Sequence, residues 1–401
     1  MRRLLWLILL ALSMSPALAA PLTYPLGIAD GRMTGPGAAI LRAQLPDAQF
    51  ILYGEDHGFA DSPIVLRALA RDARGYGFRY CVMEVGPISM ARMGDVLSTN
   101  GLVGVSDLLK GAPLAFPFAS LKDDAALAAD FPGRDARGTP YLWGVDQEFI
   151  LSPSLHLPRL IALAPDGRVR DRLTQLLTKE KTAVATFDQK NFLLSRFGDG
   201  DFATLAADFK NVPEAEAIIA ELKESAAIYQ LWNSGRNYEN NARRARLLAQ
   251  HFLARYRAAA DPMPKVIFKM GAEHVALGTT TINTVDLGTL ASSIAKLDGR
   301  TALRIAFIPA GGHALVVEPK QGRLTAVQPY DSADARELYA AIGIDRAALP
   351  RTGWTLIPLG PIRQTLNNTG LNALKPFARF VLLGFDYVIT TPDAKPATPL
   401  G

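Results

Sequence analysis

The sequence predicts an α/β fold in which a mostly parallel central sheet is flanked by helices and interrupted by a large all-helical insertion. Three observations lead to this prediction. Short apolar runs typical of buried strands occur before residue 150 and return after residue 264. The first two runs are joined by a helical pattern, as in a β-α-β unit. The long region between the two groups of strands shows only helical periodicity.

Residues 20–156 are predicted to form the N-terminal part of the α/β domain. A lead-in at 21–37 that contains Pro and Gly, and a helix near 38–44, precede the first strand, 50–53. The run Asp61-Ser62-Pro63 opens a helix to about residue 74, and a strand at 78–83 completes the β-α-β unit. A helix at 88–97, an irregular stretch to 138 with a helical piece near 122–129, and a strand at 141–145 follow.

Residues 157–260 are predicted to be a helical insertion or subdomain, with its clearest helices at 168–184, 214–231 and 238–257. Such an insertion is well placed to cover an active site. Residues 261–391 form the C-terminal part of the α/β domain, with strands at 265–270, 303–308, 314–318, 324–327, 354–358 and 387–390. The Pro-rich segment 392–401 is predicted to be a flexible tail.

The N-terminus has the pattern of a secretory signal peptide. Met1-Arg2-Arg3 is a basic start, Leu4 to Leu12 is apolar, and Ala17-Leu18-Ala19 is a small-x-small cleavage site. We therefore predict that residues 1–19 are removed and that the mature protein is periplasmic or secreted. The residue directly after the cleavage site is Ala20 rather than a cysteine, and no other run reaches the length of a membrane span, so neither a lipid anchor nor a stable membrane span is predicted.

Composition excludes several classes of protein. With 401 residues of which 49% are hydrophobic, the chain can bury a large core. Loss of Arg2 and Arg3 with the signal lowers the formal charge from +5 to +3, which is too small and too dispersed for nucleic-acid binding. The single cysteine, Cys81, lies in an apolar run and is predicted to be a small buried side chain without a disulfide partner.

Two segments more than 200 residues apart share one design, an apolar strand followed by Gly-x-x-His. The first ends in Glu55, Asp56 and His57, and the second ends in His274. Between them the second strand ends in Glu84. Because the carboxyl ends of parallel strands lie at one edge of a sheet, we expect these groups to share a crevice there. Further candidates are Asp146, Glu273 and His313, whereas His156 and His251 are predicted to be structural.

Such a set suits two kinds of chemistry, and the residues leave both open. A histidine beside a carboxylate can act as general base on water, and two histidines with an acid can bind a divalent metal. The sequence contains no Gly-x-Ser-x-Gly, His-Glu-x-x-His or Gly-x-x-x-x-Gly-Lys motif. A common serine hydrolase, a zincin and a phosphate-loop nucleotide enzyme are therefore disfavoured.

These segments resemble a superfamily that contains the erythromycin esterase-like proteins, the ChaN-type haem-binding proteins and the Tiki/TraB group. The similar pattern is Gly-Glu-x-His-Gly at residues 54–58, a strand ending in Glu84, and Gly-x-x-His at 271–274. Residues 384–389 are similar to the esterase terminus, and Arg236 is similar to an arginine ahead of a long helix. The single residue between Glu55 and His57 is closer to the ChaN and Tiki members.

The resemblance implies a water-activating histidine in the esterases, a metal-dependent peptidase in the Tiki group and haem ligation in ChaN. Our first prediction is a secreted hydrolase that attacks an ester or amide of a small-molecule or peptide substrate. In it His57 is the general base, Glu84 and Glu55 are its acidic partners, His274 is an electrophile or second base, and Arg236 contacts an oxyanion or a substrate carboxylate.

The cofactor therefore stays open between none, a divalent metal and haem. If a metal is present, its predicted ligands are His57, Glu84 and His274. If the protein binds haem or iron instead, His57 or His274 is the predicted axial ligand.

Overall fold

The computed structural model describes residues 22–113, 115–320 and 323–400. The predicted signal peptide, residues 1–19, lies outside the described residues. Among the helices of the described part, none is both long enough and apolar enough to cross a membrane.

Nine strands of the described chain form one sheet in the order β2-β1-β10-β11-β7-β3-β6-β4-β5, and β8 and β9 form a separate antiparallel pair. The strands from β11 to β5 in this order are parallel neighbours, whereas β10, β1 and β2 add an antiparallel edge. The predicted α/β fold with a mostly parallel sheet is confirmed. The strands are β1 Tyr24–Ala29, β2 Arg32–Thr34, β3 Ala48–Glu55, β4 Phe78–Met83, β5 Leu142–Gly144, β6 Lys265–Gly271, β7 Thr301–Phe307, β8 His313–Lys320, β9 Arg323–Pro329, β10 Trp354–Pro358 and β11 Tyr387–Thr390.

Helices cover the sheet on both sides. They are α1 Pro36–Gln44, α2 Asp61–Ala73, α3 Pro87–Gly111, α4 Lys122–Ala128, α5 Pro153–Ala162, α6 Gly167–Thr186, α7 Leu193–Arg196, α8 Asp199–Asp208, α9 Pro213–Asn233, α10 Asn237–Ala258, α11 Ala272–Val275, α12 Leu287–Leu297, α13 Ala333–Ala341, α14 Leu359–Thr365, α15 Asn368–Ala373 and α16 Pro376–Gly384. Short 3₁₀ helices occur at Arg74–Tyr76, Gln189–Asn191 and Arg346–Ala348.

The central strand β3 is buried along its whole length. Its side chains alternate between two apolar clusters: Ile51 and Tyr53 pack on one face of the sheet, and Phe50 and Leu52 pack on the other. A parallel strand covered on both faces therefore has a continuous apolar sequence. Only its last residue, Glu55, brings charge to the end of the strand.

Two regions for which no helix or strand is predicted are regular in the structure. The lead-in at 21–37 contains the hairpin β1–β2, because Leu26 and Met33 pack into the core while β1 pairs with β10. The helix predicted at 88–97 continues to residue 111, with a break at Gly101, which has a φ of 61°. Glycine tolerates this positive φ, so the chain can resume a helix beyond the break.

The helical region has a core of its own. Side chains from α5 to α9, among them Leu173, Phe202, Ile218 and Leu222, form a separate apolar cluster. In contrast, α10 packs on the sheet, where Phe252 contacts Phe50 and Phe268 with ring centroids 6.1 Å and 5.2 Å apart. This helix therefore places its N-terminal half beside the ends of the central strands, and the domain boundaries stay a prediction.

The segment after β11, predicted to be a flexible tail, is attached to the rest of the chain over its described residues, 392–400. The amide of Ala397 donates to the carbonyl of Gly58 (2.8 Å), and the amide of Lys122 donates to the carbonyl of Thr398 (2.8 Å). The segment thus joins the loop after β3 to the start of α4. These backbone hydrogen bonds, which local composition does not reveal, hold a Pro-rich stretch in place.

Candidate active site

The ends of three neighbouring strands bring the predicted site residues together. Glu55 ends β3 and lies opposite Gly271, which ends β6. Glu84 follows β4, His57 lies in the turn after β3, and His274 lies in α11. The sheet order places β3, β6 and β4 side by side. Parallel register thus assembles residues that are far apart in the sequence.

Both imidazoles face Glu84. The Nε2 atom of His57 lies 3.6 Å from Oε2 of Glu84, and Nε2 of His274 lies 3.4 Å from Oε1 of the same carboxylate. The Nδ1 atoms are held from the other side, at 2.9 Å by Glu55 and at 2.8 Å by Asp286. Each imidazole therefore lies between two carboxylates, and each Nδ1 is engaged in a hydrogen bond.

Gly271 is required by this geometry. Its amide donates to Oε2 of Glu84 at 2.6 Å, which anchors the carboxylate to β6. A Cβ atom at this position would lie 2.9 Å from Nε2 of His57 and 3.3 Å from Oε2 of Glu84. Any larger residue at 271 would therefore push the imidazole away from the carboxylate.

Gly58 fixes the turn that carries His57. Its φ of 93° lies in the region that favours glycine, and a Cβ atom here would lie 2.3 Å from the carbonyl oxygen of Leu315. The carbonyl of Gly58 accepts hydrogen bonds from the amides of Leu315 (2.9 Å) and Ala397 (2.8 Å). The β8 strand and the C-terminal segment therefore hold the turn in one position.

A guanidinium from α10 completes the environment of Glu84. Arg244 donates to both oxygens of Asp146, at 2.8 Å and 2.6 Å, and its Nη2 also donates to Oε1 of Glu84 at 2.7 Å. Asp146 therefore reaches the site through this arginine. Arg236, the predicted contact, is exposed and pairs with Glu239 at 3.2 Å. It lies eight residues before Arg244, a separation of roughly 12 Å along a helix, so the structure does not bring it to the cluster.

Both carboxylate oxygens of Glu55 have polar partners. Its Oε1 accepts a hydrogen bond from Nζ of Lys269 at 2.5 Å and also contacts Nδ1 of His57. Its Oε2 accepts a hydrogen bond from the hydroxyl of Ser62. Lys269 also pairs with Asp124 of α4. Phe118 stacks on the His57 ring, with centroids 3.7 Å apart and planes 11° apart. The imidazole is therefore fixed in position and in orientation.

The charges of the inner residues follow from these contacts. Burial opposes ionisation of Glu84, but the charge and hydrogen bond of His274 and the charge of Arg244 outweigh it and hold the pKa of Glu84 well below its usual range. Burial and the charge of Arg244 oppose protonation of His274, but Glu84 and Asp286 raise its pKa to about 10. His274 is therefore an imidazolium at neutral pH, and Glu84 is a carboxylate.

His57 is the most accessible ionisable side chain among these contacts. It is 31% exposed, compared with 6% for His274 and 5% for Glu84. Arg244 is 24% exposed. A substrate that approaches the edge of the sheet therefore meets the His57 imidazole and the edge of the Arg244 guanidinium first.

The chain is similar to known proteins in its structure. No protein-family model matches the sequence, and no curated protein matches it. A mutant of the erythromycin esterase EreC in its open conformation aligns with a TM-score of 0.56 and 17% identity, over 90% of this chain and 95% of that chain. The chain has the fold of the erythromycin esterases. The family resemblance predicted from the sequence is confirmed at the level of the fold.

Two further solved structures share this esterase fold. A structural-genomics protein from Bacillus cereus aligns with a TM-score of 0.52 and 12% identity, over 94% of this chain and 96% of that chain. A succinoglycan biosynthesis protein aligns with a TM-score of 0.53 and 12% identity, over 94% of this chain and 95% of that chain. The likeness extends over the helical region as well as the sheet.

The metal alternative does not fit the donor atoms of this site. Among the residues that the structure describes, no three His, Cys, Asp or Glu side chains are arranged to hold a metal ion. Nδ1 of His57 and Nδ1 of His274 bind carboxylates. Glu84 and Asp286 raise the pKa of His274 to about 10, so a metal would have to displace a proton from this ring in order to bind it.

The remaining candidates lie outside the cluster. Glu273 accepts a hydrogen bond from the amide of Thr281 at 3.0 Å, and His313 is exposed at the start of β8. Two other histidines have structural partners: Nε2 of His156 lies 2.8 Å from Glu148, and His251 contacts Val145 and Glu221. Cys81 is buried, as predicted, and burial raises the pKa of its thiol to about 12.

Sequence reasoning missed five residues of the site. Arg244 stands in the basic run 243–246, and a charged run in a helical pattern favours a solvated helix face. Lys269 offered a signal, because it is a charge within the apolar run of β6. For Asp124, Asp286 and Phe118 we find no local signal, since only the fold brings them to the histidines.

Proposed function

We propose that this protein is a hydrolase of the erythromycin esterase-like kind that activates water with His57 for attack on an ester or amide. One observation carries the proposal: His57 is a partly exposed imidazole whose Nδ1 is held by Glu55 and whose Nε2 faces Glu84. The esterase fold of EreC supports the same class of reaction.

The tautomer of His57 follows from its partners. With Glu55 ionised, Nδ1 carries the proton that bonds to it, so Nε2 keeps its lone pair. The distance of 3.6 Å between Nε2 and Glu84 exceeds a normal hydrogen bond, and an ionised carboxylate has no proton to donate, so Glu84 leaves that lone pair free. Nε2 can therefore accept a proton from water, and this general-base role contributes about 10² to 10⁴ in rate.

The reaction then needs positive charge where the oxyanion forms. Hydroxide attacks the carbonyl carbon, and Arg244, a half-buried cation beside Glu84, can stabilise the negative charge that develops on the carbonyl oxygen. Its Nε and Nη2 are used in the bonds to Asp146 and Glu84, which leaves Nη1 for substrate. The imidazolium of His57 finally returns its proton to the leaving oxygen or nitrogen.

Glu84 and His274 have electrostatic roles in this proposal. Glu84 is ionised and buried, so it stabilises the positive charge that forms on His57 during the reaction. His274, held as an imidazolium by Asp286 and Glu84, balances the carboxylate and fixes its orientation. We therefore assign His274 an electrostatic role.

The test is hydrolysis of a panel of nitrophenyl esters, lactones and anilides by the purified protein. We expect His57→Gln to lower turnover by about 10² or more and His313→Gln, which changes an exposed histidine outside the cluster, to retain it. The proposal is wrong if the wild-type protein hydrolyses none of these substrates, or if His57→Gln retains wild-type rates.

We also propose that the protein acts outside the cytoplasm after loss of residues 1–19. The basic start, apolar stretch and Ala17-Leu18-Ala19 site support this proposal. N-terminal sequencing of the protein from a periplasmic or culture fraction tests it. A chain that begins at Ala20 supports export, and a cytoplasmic chain that begins at Met1 contradicts it.

A further inference from the structure

We propose that Lys269 is a positioning residue whose charge keeps Glu55 ionised and thereby keeps Nε2 of His57 free to accept a proton. This inference rests on the proposed function of His57 as general base. Lys269 is buried on the far side of Glu55 from His57, where substrate does not reach it.

Lys269 occupies an unusual position for a lysine. It is 2% exposed within β6, where Val266, Phe268 and Met270 are buried apolar residues. In the sheet it lies between Tyr53 of β3 and Met83 of β4, at the centre of the parallel strands. A buried ammonium is costly unless anions pair with it, so this position requires partners.

The partners connect the ammonium to the imidazole. Nζ of Lys269 lies 2.5 Å from Oε1 of Glu55, and the same oxygen lies 2.9 Å from Nδ1 of His57. The ammonium also pairs with Asp124 and lies 5.6 Å from the centre of the Phe118 ring, which stacks on His57. One carboxylate oxygen therefore separates the charge of Lys269 from the proposed base.

Lys269 is the strongest influence that keeps Glu55 ionised. Burial raises the pKa of Glu55, but the charge of Lys269 and the contact with His57 lower it below its usual value. Burial opposes the charge of Lys269 too, yet Asp124 and Glu55 raise its pKa. Burial raises the pKa of Asp124 to about 6, although Lys269 lowers it. Lys269 therefore stays charged throughout the neutral range.

Loss of this charge has one consequence for His57 by either of two routes. If Glu55 takes up a proton, it donates to Nδ1, and the neutral imidazole must carry its own proton on Nε2. If Glu55 stays ionised without Lys269, its uncompensated charge favours the imidazolium, which is protonated on both nitrogens. Nε2 is protonated in both cases and cannot act as base.

A purely structural ion pair does not account for the arrangement. Asp124 alone would compensate Lys269, yet the ammonium also bonds to Glu55, the carboxylate that contacts His57. The other charged groups near the imidazole lie on its Nε2 side, where Glu84 pairs with Arg244 and His274. On the Nδ1 side, Glu55 contacts the ring, and Lys269 and Asp124 lie behind Glu55.

The variants are chosen so that the protein folds. Lys269→Met alone leaves Glu55 and Asp124 as two buried carboxylates without a cation, so we use Lys269→Met/Asp124→Asn, which removes one charge of each sign. Asp124→Asn alone is the matched control, because it changes the same cluster and retains the ammonium. Circular dichroism and thermal melting confirm folding before further measurement.

The measurement is the protonation of Nε2 in protein labelled with ¹⁵N-histidine, from long-range ¹H–¹⁵N correlation spectra at about pH 8, above the ordinary pKa of imidazole. His57→Gln identifies the signal. We expect an unprotonated Nε2 in the wild-type protein and in Asp124→Asn, and a protonated Nε2 in the double variant. In the double variant, the acid limb of the pH–rate profile should shift to higher pH by at least about one unit.

The proposal is overturned if a folded double variant keeps Nε2 unprotonated, or if the wild-type His57 already carries its proton on Nε2. The second result needs no variant and holds even if the double variant fails to fold. The spectra do not depend on turnover. A wild-type protein with the expected tautomer but no hydrolysis would contradict the proposed function and leave the role of Lys269 supported.

Discussion

At the scale of single residues, Glu84 organises the site because it contacts every group that faces the proposed reaction. Its Oε1 lies 2.7 Å from Nη2 of Arg244 and 3.4 Å from His274, and its Oε2 lies 2.6 Å from the amide of Gly271. A buried carboxylate with these partners is ionised and cannot rotate freely. The orientation of His57 thus depends on contacts that substrate does not touch.

The ion pair of His274 leads to a prediction about stability. Its pKa in the folded protein, about 10, lies above the ordinary value of about 6.5. The stabilisation from this histidine is therefore complete below about pH 6.5 and is lost as the pH rises towards 10. We expect the free energy of unfolding lost in His274→Gln to be largest near pH 6 and smallest near pH 10, measured by urea denaturation. A loss that does not change with pH, relative to His313→Gln, would contradict the assignment.

Local patterns predicted the residues that follow strands directly. Glu55, His57, Glu84 and His274 were identified because each lies at or after the end of an apolar run. Arg236 was chosen for its place ahead of a long helix, but the guanidinium that reaches the site lies two turns further on. Which face of α10 meets the sheet depends on tertiary packing, and a single sequence does not show it.

At the scale of elements, α10 links the helical region to the sheet and carries Arg244 to the site. We expect Arg244→Ala to lower turnover by about 10² or more, because it removes the cation that we propose stabilises the oxyanion and takes the guanidinium away from Asp146 and Glu84. Arg236→Ala on the same helix is the matched control and should retain the rate, since that side chain is exposed. Steady-state kinetics of both variants test the assignment, and equal losses would refute it.

The C-terminal segment is the element whose role the sequence concealed. It bonds to Gly58 beside His57, to the start of α4, and to the start of β8 at His313. We expect deletion of residues 392–401 to lower the melting temperature and to increase hydrogen exchange at residues 56–60, 120–122 and 312–315, with α6 as the unchanged internal reference. If exchange at residues 56–60 did not change, the segment would not hold the turn.

Prediction of the elements succeeded where apolar periodicity is strong. The strands at 50–53 and 78–83 and the helix from Asp61 were found because their patterns are long and well bounded. The hairpin β1–β2 was missed because β1 contains proline and glycine and β2, at the sheet edge, has only three residues. Long-range pairing with β10, rather than local propensity, makes this segment extended.

At the scale of the whole molecule, the parallel sheet makes the site possible. Strands β3, β6 and β4 are neighbours although residues 84–264 lie between the last two in the sequence. The fold class was predictable from the alternation of strand and helix patterns. The strand order was not, because it depends on packing between distant segments.

The predictions for the whole protein separate the alternatives that the sequence left open. We expect dialysis against a chelator to leave the hydrolysis rate unchanged, because Nδ1 of His57 and Nδ1 of His274 are both engaged by carboxylates. Added haem should give no Soret shift that depends on His57. Loss of activity that added metal restores would favour the peptidase alternative, and a Soret shift abolished by His57→Gln would favour haem binding.

The most direct test of the account is the turnover of His57→Ala with and without added imidazole. The ring of His57 is 31% exposed and stacks on Phe118. Free imidazole can therefore enter the space that the ring leaves in His57→Ala and stack on Phe118 there. We expect turnover to fall by about 10² or more and to recover in part, in proportion to the concentration of neutral imidazole. Wild-type turnover by His57→Ala without imidazole would contradict the proposal that this histidine activates water.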